Sequence, residues 1–424
     1  MRSYVLLLAL VVALGMALRF PYAGVIVWTW FSLQNPQMES WGIINSIPTN
    51  LIIVLVTVIA LAVSKERKLP PSGPIVWALI AFMVWMTFNS FFAFDPKWSW
   101  PYWDRTWKIF ALGFVVAATA TNRTRIHALL WTCVISLFFY GVKGGIFTIM
   151  TGGHSHVFGP PNTIIGDNNQ LAVALLMTLP LANYLRLQTA DRRIGMLLLA
   201  CIVLTVIAVL GTYSRGALIG LAALAALFLI RSKNKFLYLA MAAVVLAFAL
   251  NFMPDEFFNR MDTISQAQND ASFHGRLIAW QVAYRYAVDH FPLGAGFYGP
   301  QLPGIFNHYY PGEINHAAHS IYFQVLGENG FPGLAIYLFM IAAAFITGSR
   351  VIAAARQNPQ LQWVADLGVA LQASLFVFCV AGAGLSMAYY DLFVIVVLLL
   401  LPLQKVVLEK KEEASAAVAA LAPG

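Results

Sequence analysis

Charge is scarce in these 424 residues: Asp, Glu, Lys and Arg together supply 10%, against about 25% in an ordinary soluble domain. So few charges cannot cover the surface of a soluble fold of this size. Cysteine is scarcer still. Cys133, Cys201 and Cys379 all fall inside apolar runs, where a thiol acts as a small hydrophobe and implies no disulfide. There is no His-Glu-x-x-His motif, no cysteine pair beside a histidine and no Asp-x-Asp pair. A zinc site at His154/His156 or His316/His319 is therefore disfavoured, as is a divalent ion held beside a sugar diphosphate. A basic stripe is missing too, which argues against nucleic acid. No internal repeat is visible, which weakens an inverted-repeat transporter.

Apolar length is what the chain has. With 60% hydrophobic residues and a mean hydropathy of +0.73, runs that approach the ~20 residues needed to cross a bilayer recur from end to end. They lack the alternation of a membrane barrel, so they read as helices. Spans are expected near 43–63, 74–92, 106–121, 127–149, 169–187, 194–211, 216–231, 236–251, 320–347, 363–385 and 391–404. Residues 1–33 are interrupted by Arg19-Phe20-Pro21 and are expected to make one broken crossing. That totals about twelve spans in an all-α, polytopic integral membrane protein. Residues 1–18 have the form of a signal peptide, but no soluble sequence follows them.

Basic residues set the orientation, because they stay on the cytoplasmic side of short loops. Lys65, Arg67, Lys68, Arg123, Arg125, Arg186, Arg192, Arg193, Arg231, Lys233, Lys235, Arg350, Arg356, Lys405, Lys410 and Lys411 share one set of loops. The alternate short loops hold Lys97, Arg105 and Arg215. Residues 1–251 then read as spans with short loops, 252–318 as a large periplasmic loop domain, 319–404 as further spans and 405–424 as a cytoplasmic tail. The net charge of +8 is orientation chemistry.

Functional candidates gather on the outer side. Arg215 opens a span after Gly211-Thr212-Tyr213-Ser214. A lone arginine there can be a snorkelling anchor, but on the outer side, at a helix N-terminus, it also makes a phosphate site. Gly216 and Gly220 offer a small face for a neighbouring helix. Arg276 opens a stretch in which Leu277, Trp280, Tyr284 and Val288 recur at helical spacing, an amphipathic helix ended by Pro292 and Gly294. Pro292-Leu293-Gly294-Ala295-Gly296 is most simply a turn. His319 precedes the next span and is a candidate general base, since imidazole titrates near neutral pH. His316, Tyr213, Asn168, Gln170, Arg285 and Tyr389 are secondary candidates. The Trp-rich loop from Phe94 to Arg105 reads as an interfacial aromatic belt or as a place for sugars to stack.

The stretches Ser214-Arg215-Gly216-Ala217, Gly275-Arg276-Leu277-x-x-Trp280, Pro292-Leu293-Gly294-x-Gly296 and His319-Ser320 with Glu328-x-Gly330 resemble the signature of the bacterial O-antigen ligase and polymerase superfamily. The motifs extend from about Asp167 to Gly333. Arg19-Phe20-Pro21-Tyr22 and Asn35-Pro36 are similar to the O-glycosylation ligases of exosortase-type gene clusters. The resemblance implies a GT-C-like, lipid-dependent glycosyltransferase of the inner membrane with its site facing the periplasm. It implies a glycan donor on undecaprenyl diphosphate, a lipid A-core hydroxyl as acceptor, inversion at the anomeric carbon, and neither metal nor cofactor. It makes Arg215 and Arg276 the diphosphate-binding arginines and His319 the essential histidine. An O-antigen polymerase, a protein O-oligosaccharyltransferase and, from another class, a membrane transporter are the competing readings.

Overall fold

A computed structural model describes residues 2–40, 42–65, 69–231, 235–255, 257–258 and 271–421. Arg67, Lys68, Lys233, Glu256, Arg260, Asp262 and Asp270 lie outside the described residues. The described chain is helical, without a strand. In order come α1 (Arg2–Arg19), α2 (Pro21–Gln34), α3 (Thr49–Val63), α4 (Pro74–Ser90), α5 (Pro96–Thr119), α6 (Arg123–Met150), α7 (Asn168–Gln188), α8 (Arg192–Gly211), α9 (Arg215–Arg231) and α10 (Lys235–Phe252). After these follow α11 (Ala271–Asp289), α12 (Pro303–Tyr309), α13 (Ile321–Ala355), α14 (Gln362–Ala381) and α15 (Asp391–Leu421). Among the described residues six helices are long and apolar enough to cross a membrane, namely α6, α7, α8, α13, α14 and α15. Shorter apolar helices coincide with α1, α3, α4 and α9.

Local chemistry starts these helices where the chain must turn. Asp95, Asn122, Asp167 and Asp191 cap α5, α6, α7 and α8 by accepting a backbone N–H of the first turn. Pro21, Pro74 and Pro96 occupy first helical positions, where a missing N–H costs nothing. The centre of the bundle is α7, α14 and the apolar first half of α15, each buried on nearly all sides. A helix that is apolar all round belongs in such a place.

Residues 2–34 differ from the expected broken crossing. Phe20 leaves helical geometry (φ −129°, ψ 89°) and the chain reverses, so that the Ser3 hydroxyl lies 3.5 Å from where a Cβ on Gly42 would stand. The result is a helical hairpin whose turn, with Arg19, sits beside the start of α6, where the Tyr22 hydroxyl donates to the Arg125 carbonyl at 2.5 Å. At that same end Arg123 Nη2 donates to Gln188 Oε1 (2.9 Å) and the Arg123 guanidinium covers Trp363 (5.4 Å). This is the arginine-rich end of the bundle.

The opposite end is organised by a break in α13. Gly330 has φ 67° and ψ −175° inside the helix, and Pro332 follows. Helical bonds to the carbonyls of Gly327 and Glu328 are replaced: Ala295 N–H donates to Gly327 (2.8 Å), Gly296 N–H to Glu328 (3.0 Å) and Asn89 Nδ2 to Glu328 (2.7 Å). The Pro292–Gly296 turn is thus a clamp on α13. A Cβ on Gly330 would stand 2.3 Å from the Pro292 carbonyl oxygen, so no side chain fits and the left-handed φ favours glycine as well. Gly330→Ala is expected to destabilise the protein by at least about 1–3 kcal/mol from backbone strain alone. A lowered thermal midpoint in detergent checks this, and an unchanged midpoint refutes it.

Helix α11 forms where helical spacing places it. Ile278, Ala279, Val282 and Tyr286 pack with Ala295, Ile305 and Phe306 in a small core of their own, and the side that carries Tyr284 and Val288 is exposed.

Candidate active site

His319 stands at the last residue before the Ser320 cap of α13, in the left-handed region (φ 44°). Such a backbone is uncommon outside glycine and persists only where neighbours hold it. Here the preceding carbonyl, that of Ala318, accepts from Trp280 Nε1 at 2.5 Å, and the Trp280 ring stacks on Phe323 at 4.9 Å between centroids. The α11 helix and the first turn of α13 therefore fix the histidine between them. His319 is half-buried.

Arg276, on the first turns of α11, is an electrostatic neighbour of His319, together with His316 and Asp167. Burial lowers the His319 pKa most, Arg276 and His316 lower it further, and Asp167 acts in the opposite sense. The imidazole is consequently neutral at neutral pH. Gly275 makes room for this group, since a Cβ there would lie 2.7 Å from the His316 ring.

Arg215 begins α9, and the two arginines flank one short turn. The Gly216 Cβ position lies 3.7 Å from the Ala381 carbonyl at the end of α14, and Arg276 Nη1 lies 4.0 Å from the Cβ position of Gly384. Gly220 packs against Ala381 and Leu176, so the small face does admit neighbouring helices. The α7 start joins the same surface through Asn168, whose Nδ2 donates to the Thr212 carbonyl at 2.7 Å. Gln170, one turn into α7, has a buried Oε1 without a hydrogen-bond partner among the described residues.

The other candidates lie elsewhere or are already engaged. Tyr213 is buried, donates its hydroxyl to the Gly153 carbonyl (2.5 Å) and packs on His156 and Phe257. The exposed Arg285 lies over the Tyr310 ring at 5.1 Å. Tyr389 is buried, donates to Glu328 Oε2 (2.7 Å) and accepts from Asn329 Nδ2 (2.8 Å). Among the described residues no three His, Cys, Asp or Glu side chains gather as a metal site would require. Asp167 was legible in the sequence only as a helix cap. Its nearness to His319 depends on α7 and α13 starting at the same end, which no local pattern records.

An imidazole with the Arg276 guanidinium as an electrostatic neighbour can accept a proton from a hydroxyl while an anion is held beside it. These features define a multi-pass helical membrane protein with His319 and Arg276 at the end of the bundle opposite the arginine-rich one. Residues 200–338, which contain Arg215, Arg276 and His319, match the O-antigen ligase family, and the chain is O-antigen ligase-like over that stretch. Residues 1–190 match a family of unknown function. No curated protein matches the chain.

A general base at His319 would act when neutral, so activity that depends on it should fall as pH drops through the His319 pKa, with an acidic limb below the ordinary histidine value. Asp167→Asn removes the neighbour that raises this pKa but keeps a competent helix cap. The limb is expected to move to lower pH, which a profile of kcat/KM against pH would read; a shift to higher pH refutes the assignment.

Proposed function

We propose that the protein is an O-antigen ligase of the bacterial inner membrane. It transfers a glycan from undecaprenyl diphosphate to a hydroxyl of lipid A-core on the periplasmic side, without a metal and with inversion. The observation that carries this reading is the packing of α11 on the His319 turn, with Trp280 Nε1 bonded to the Ala318 carbonyl and Gly275 against the His316 ring, which sets Arg276 beside His319 within the stretch that matches the O-antigen ligase family. His319 takes the proton of the acceptor hydroxyl as that oxygen attacks the anomeric carbon. Arg276 and Arg215 bind the diphosphate, whose negative charge grows as the glycosidic C–O bond breaks. Charge-assisted bonds to the leaving group strengthen in that transition state, which is where binding energy accelerates a reaction.

Orientation follows from the same division of charge. On this reading the arginine-rich end is cytoplasmic, His319 and the clamp on α13 face the periplasm, and the described residues 271–318 belong to the outer loop segment expected for 252–318. The test is transfer in vitro by purified protein from a defined undecaprenyl-diphosphate glycan, offered lipid A-core, a second donor molecule and a peptide side by side. Glycan on lipid A-core supports the ligase; glycan on the second donor or on the peptide makes it a polymerase or a protein glycosyltransferase. No transfer to any acceptor, with glycan flux across proteoliposomes, would favour the transporter.

A further inference from the structure

The first turns of α5 and the segment after α11 bring aromatic side chains together at the same end as His319. Tyr298 stacks with Trp98 (centroids 4.8 Å apart, planes 16° apart) and with Tyr102 (5.3 Å, 21°). Trp98 is 46% exposed and Tyr102 39% exposed, so the stack keeps open ring surface. Rings of an interfacial belt anchor a helix by lying singly at headgroup depth. These three instead lie face to face and are fixed by main-chain bonds. Phe94 N–H donates to the Ala295 carbonyl (3.0 Å), Phe297 N–H to Ser99 Oγ (3.2 Å) and Tyr298 N–H to Glu328 Oε1 (3.1 Å). Tyr298 itself has a left-handed φ of 65°, a conformation its surroundings must hold.

The last of those bonds leads to a small cavity of about 40 Å³, lined by Pro300, Gln301, Ala317, Gln324, Glu328 and Ser386, with Ala318 completing the wall next to His319. A water-sized group needs about 10–15 Å³, so the space takes one hydroxyl or hydroxymethyl group and not a sugar ring. Its polar lining is unfinished. Ser386 Oγ is buried without a hydrogen-bond partner among the described residues. Glu328 accepts from Tyr298 N–H at Oε1 and from the Tyr389 hydroxyl at Oε2, and the Gln324 side chain is a third hydrogen-bond partner, which leaves one of the roughly four acceptor sites of a carboxylate. Buried polar groups are ordinarily satisfied, and an exception asks for a ligand or a water.

We propose that Trp98, Tyr102 and Tyr298 are the carbohydrate platform of the acceptor side, and that Ser386 and Glu328 recognise one hydroxyl of the sugar seated there. A pyranose joins an apolar C–H face to hydroxyl edges, and this site joins aromatic faces to hydroxyl partners. The acceptor side is assigned because the cavity wall runs through Ala317 and Ala318 into His319, the group that takes the acceptor proton on this reading. The acceptor is then a saccharide and not a protein hydroxyl. This inference rests on the glycan-transfer reading and narrows it.

The test separates binding from turnover. Full-length protein in nanodiscs is titrated, with no donor present, with delipidated core oligosaccharide and with a Ser/Thr-rich peptide, and binding is followed by saturation-transfer NMR. Wild type is expected to bind the oligosaccharide and not the peptide. Trp98→Leu should weaken oligosaccharide binding about tenfold, equivalent to about 1.4 kcal/mol, and Trp98→Phe should restore most of it because a flat ring returns. In turnover the Trp98→Leu loss should appear in the acceptor KM, with the donor KM unchanged. Wild-type affinity in Trp98→Leu, binding of the peptide in preference, or no oligosaccharide binding by wild type overturns the platform. Intact oligosaccharide binding with no transfer from any donor would instead overturn the transferase reading and leave the platform standing.

Discussion

His319→Asn is expected to reduce glycan transfer by about 10²–10⁴-fold, the usual contribution of a positioned general base, with donor binding retained. Asparagine is the informative replacement because of the backbone. His319 has a φ of 44°, and asparagine tolerates the left-handed region better than most residues, so the link into α13 keeps its course. What is removed is a nitrogen that can take a proton near neutral pH, since an amide cannot. His319→Ala should lose as much rate but adds backbone strain, so the two variants together separate the base from the turn. Single-turnover transfer, with donor affinity measured separately, reads the difference. Wild-type transfer by a folded His319→Asn protein would remove the histidine from the chemistry. A loss of donor binding equal to the loss of rate would make it a diphosphate ligand instead.

The long apolar helices were the legible part of this chain: scarce charge and repeated apolar runs announce α6, α7, α8, α13, α14 and α15. Their ends were less so, since α5 begins at Pro96 behind the Asp95 cap, inside the stretch read as a Trp-rich loop, and polar aromatic residues hide a helix start from an apolar count. The hairpin at Phe20 was harder to read. Arg19-Phe20-Pro21 reveals a break, but whether a broken helix continues or reverses depends on packing against α3 and the Gly42 segment. The core under α11 had no local sign either, since its partners Ala295, Ile305 and Phe306 come from later in the chain.

The site itself divides in the same way. Arg215, Arg276 and His319 could be singled out because a charged or titratable residue beside an apolar run has few structural excuses. Their convergence on the end of α14 could not, because it depends on which helices share an end. Glu328-x-Gly330 looked like a motif of unknown purpose. Its physical content is a helix break that frees carbonyl oxygens at Gly327 and Glu328 for the 294–296 turn. Main-chain bonds between segments some thirty residues apart leave no periodic trace, so nothing local foretold the clamp. Tyr213 is engaged locally. Its position beside Arg215 suggested a role in the site, whereas its hydroxyl serves the Gly153 carbonyl and its ring the local core.

Arg276→Lys should slow transfer by about 10–100-fold, the rate equivalent of losing one charge-assisted bond worth about 1.5–3 kcal/mol. Guanidinium can hold two phosphate oxygens at once in a fixed plane, whereas ammonium presents a point charge. The position of Arg276 supplies a second readout that isolates this geometry from charge. Arg276 lowers the His319 pKa through its positive charge, and lysine preserves that sign. The acidic limb of the rate profile should therefore stay near its wild-type position in Arg276→Lys while the plateau falls. Arg276→Gln should lower the plateau further and move the limb to higher pH, because the repelling charge that keeps the imidazole neutral is gone. Arg215→Lys, whose charge is not among the influences resolved at His319, should lower the plateau with no displacement of the limb in either direction. A full plateau in both lysine variants would mean that charge alone suffices at the leaving group. A limb unmoved in Arg276→Gln would mean that Arg276 and His319 do not act within one site.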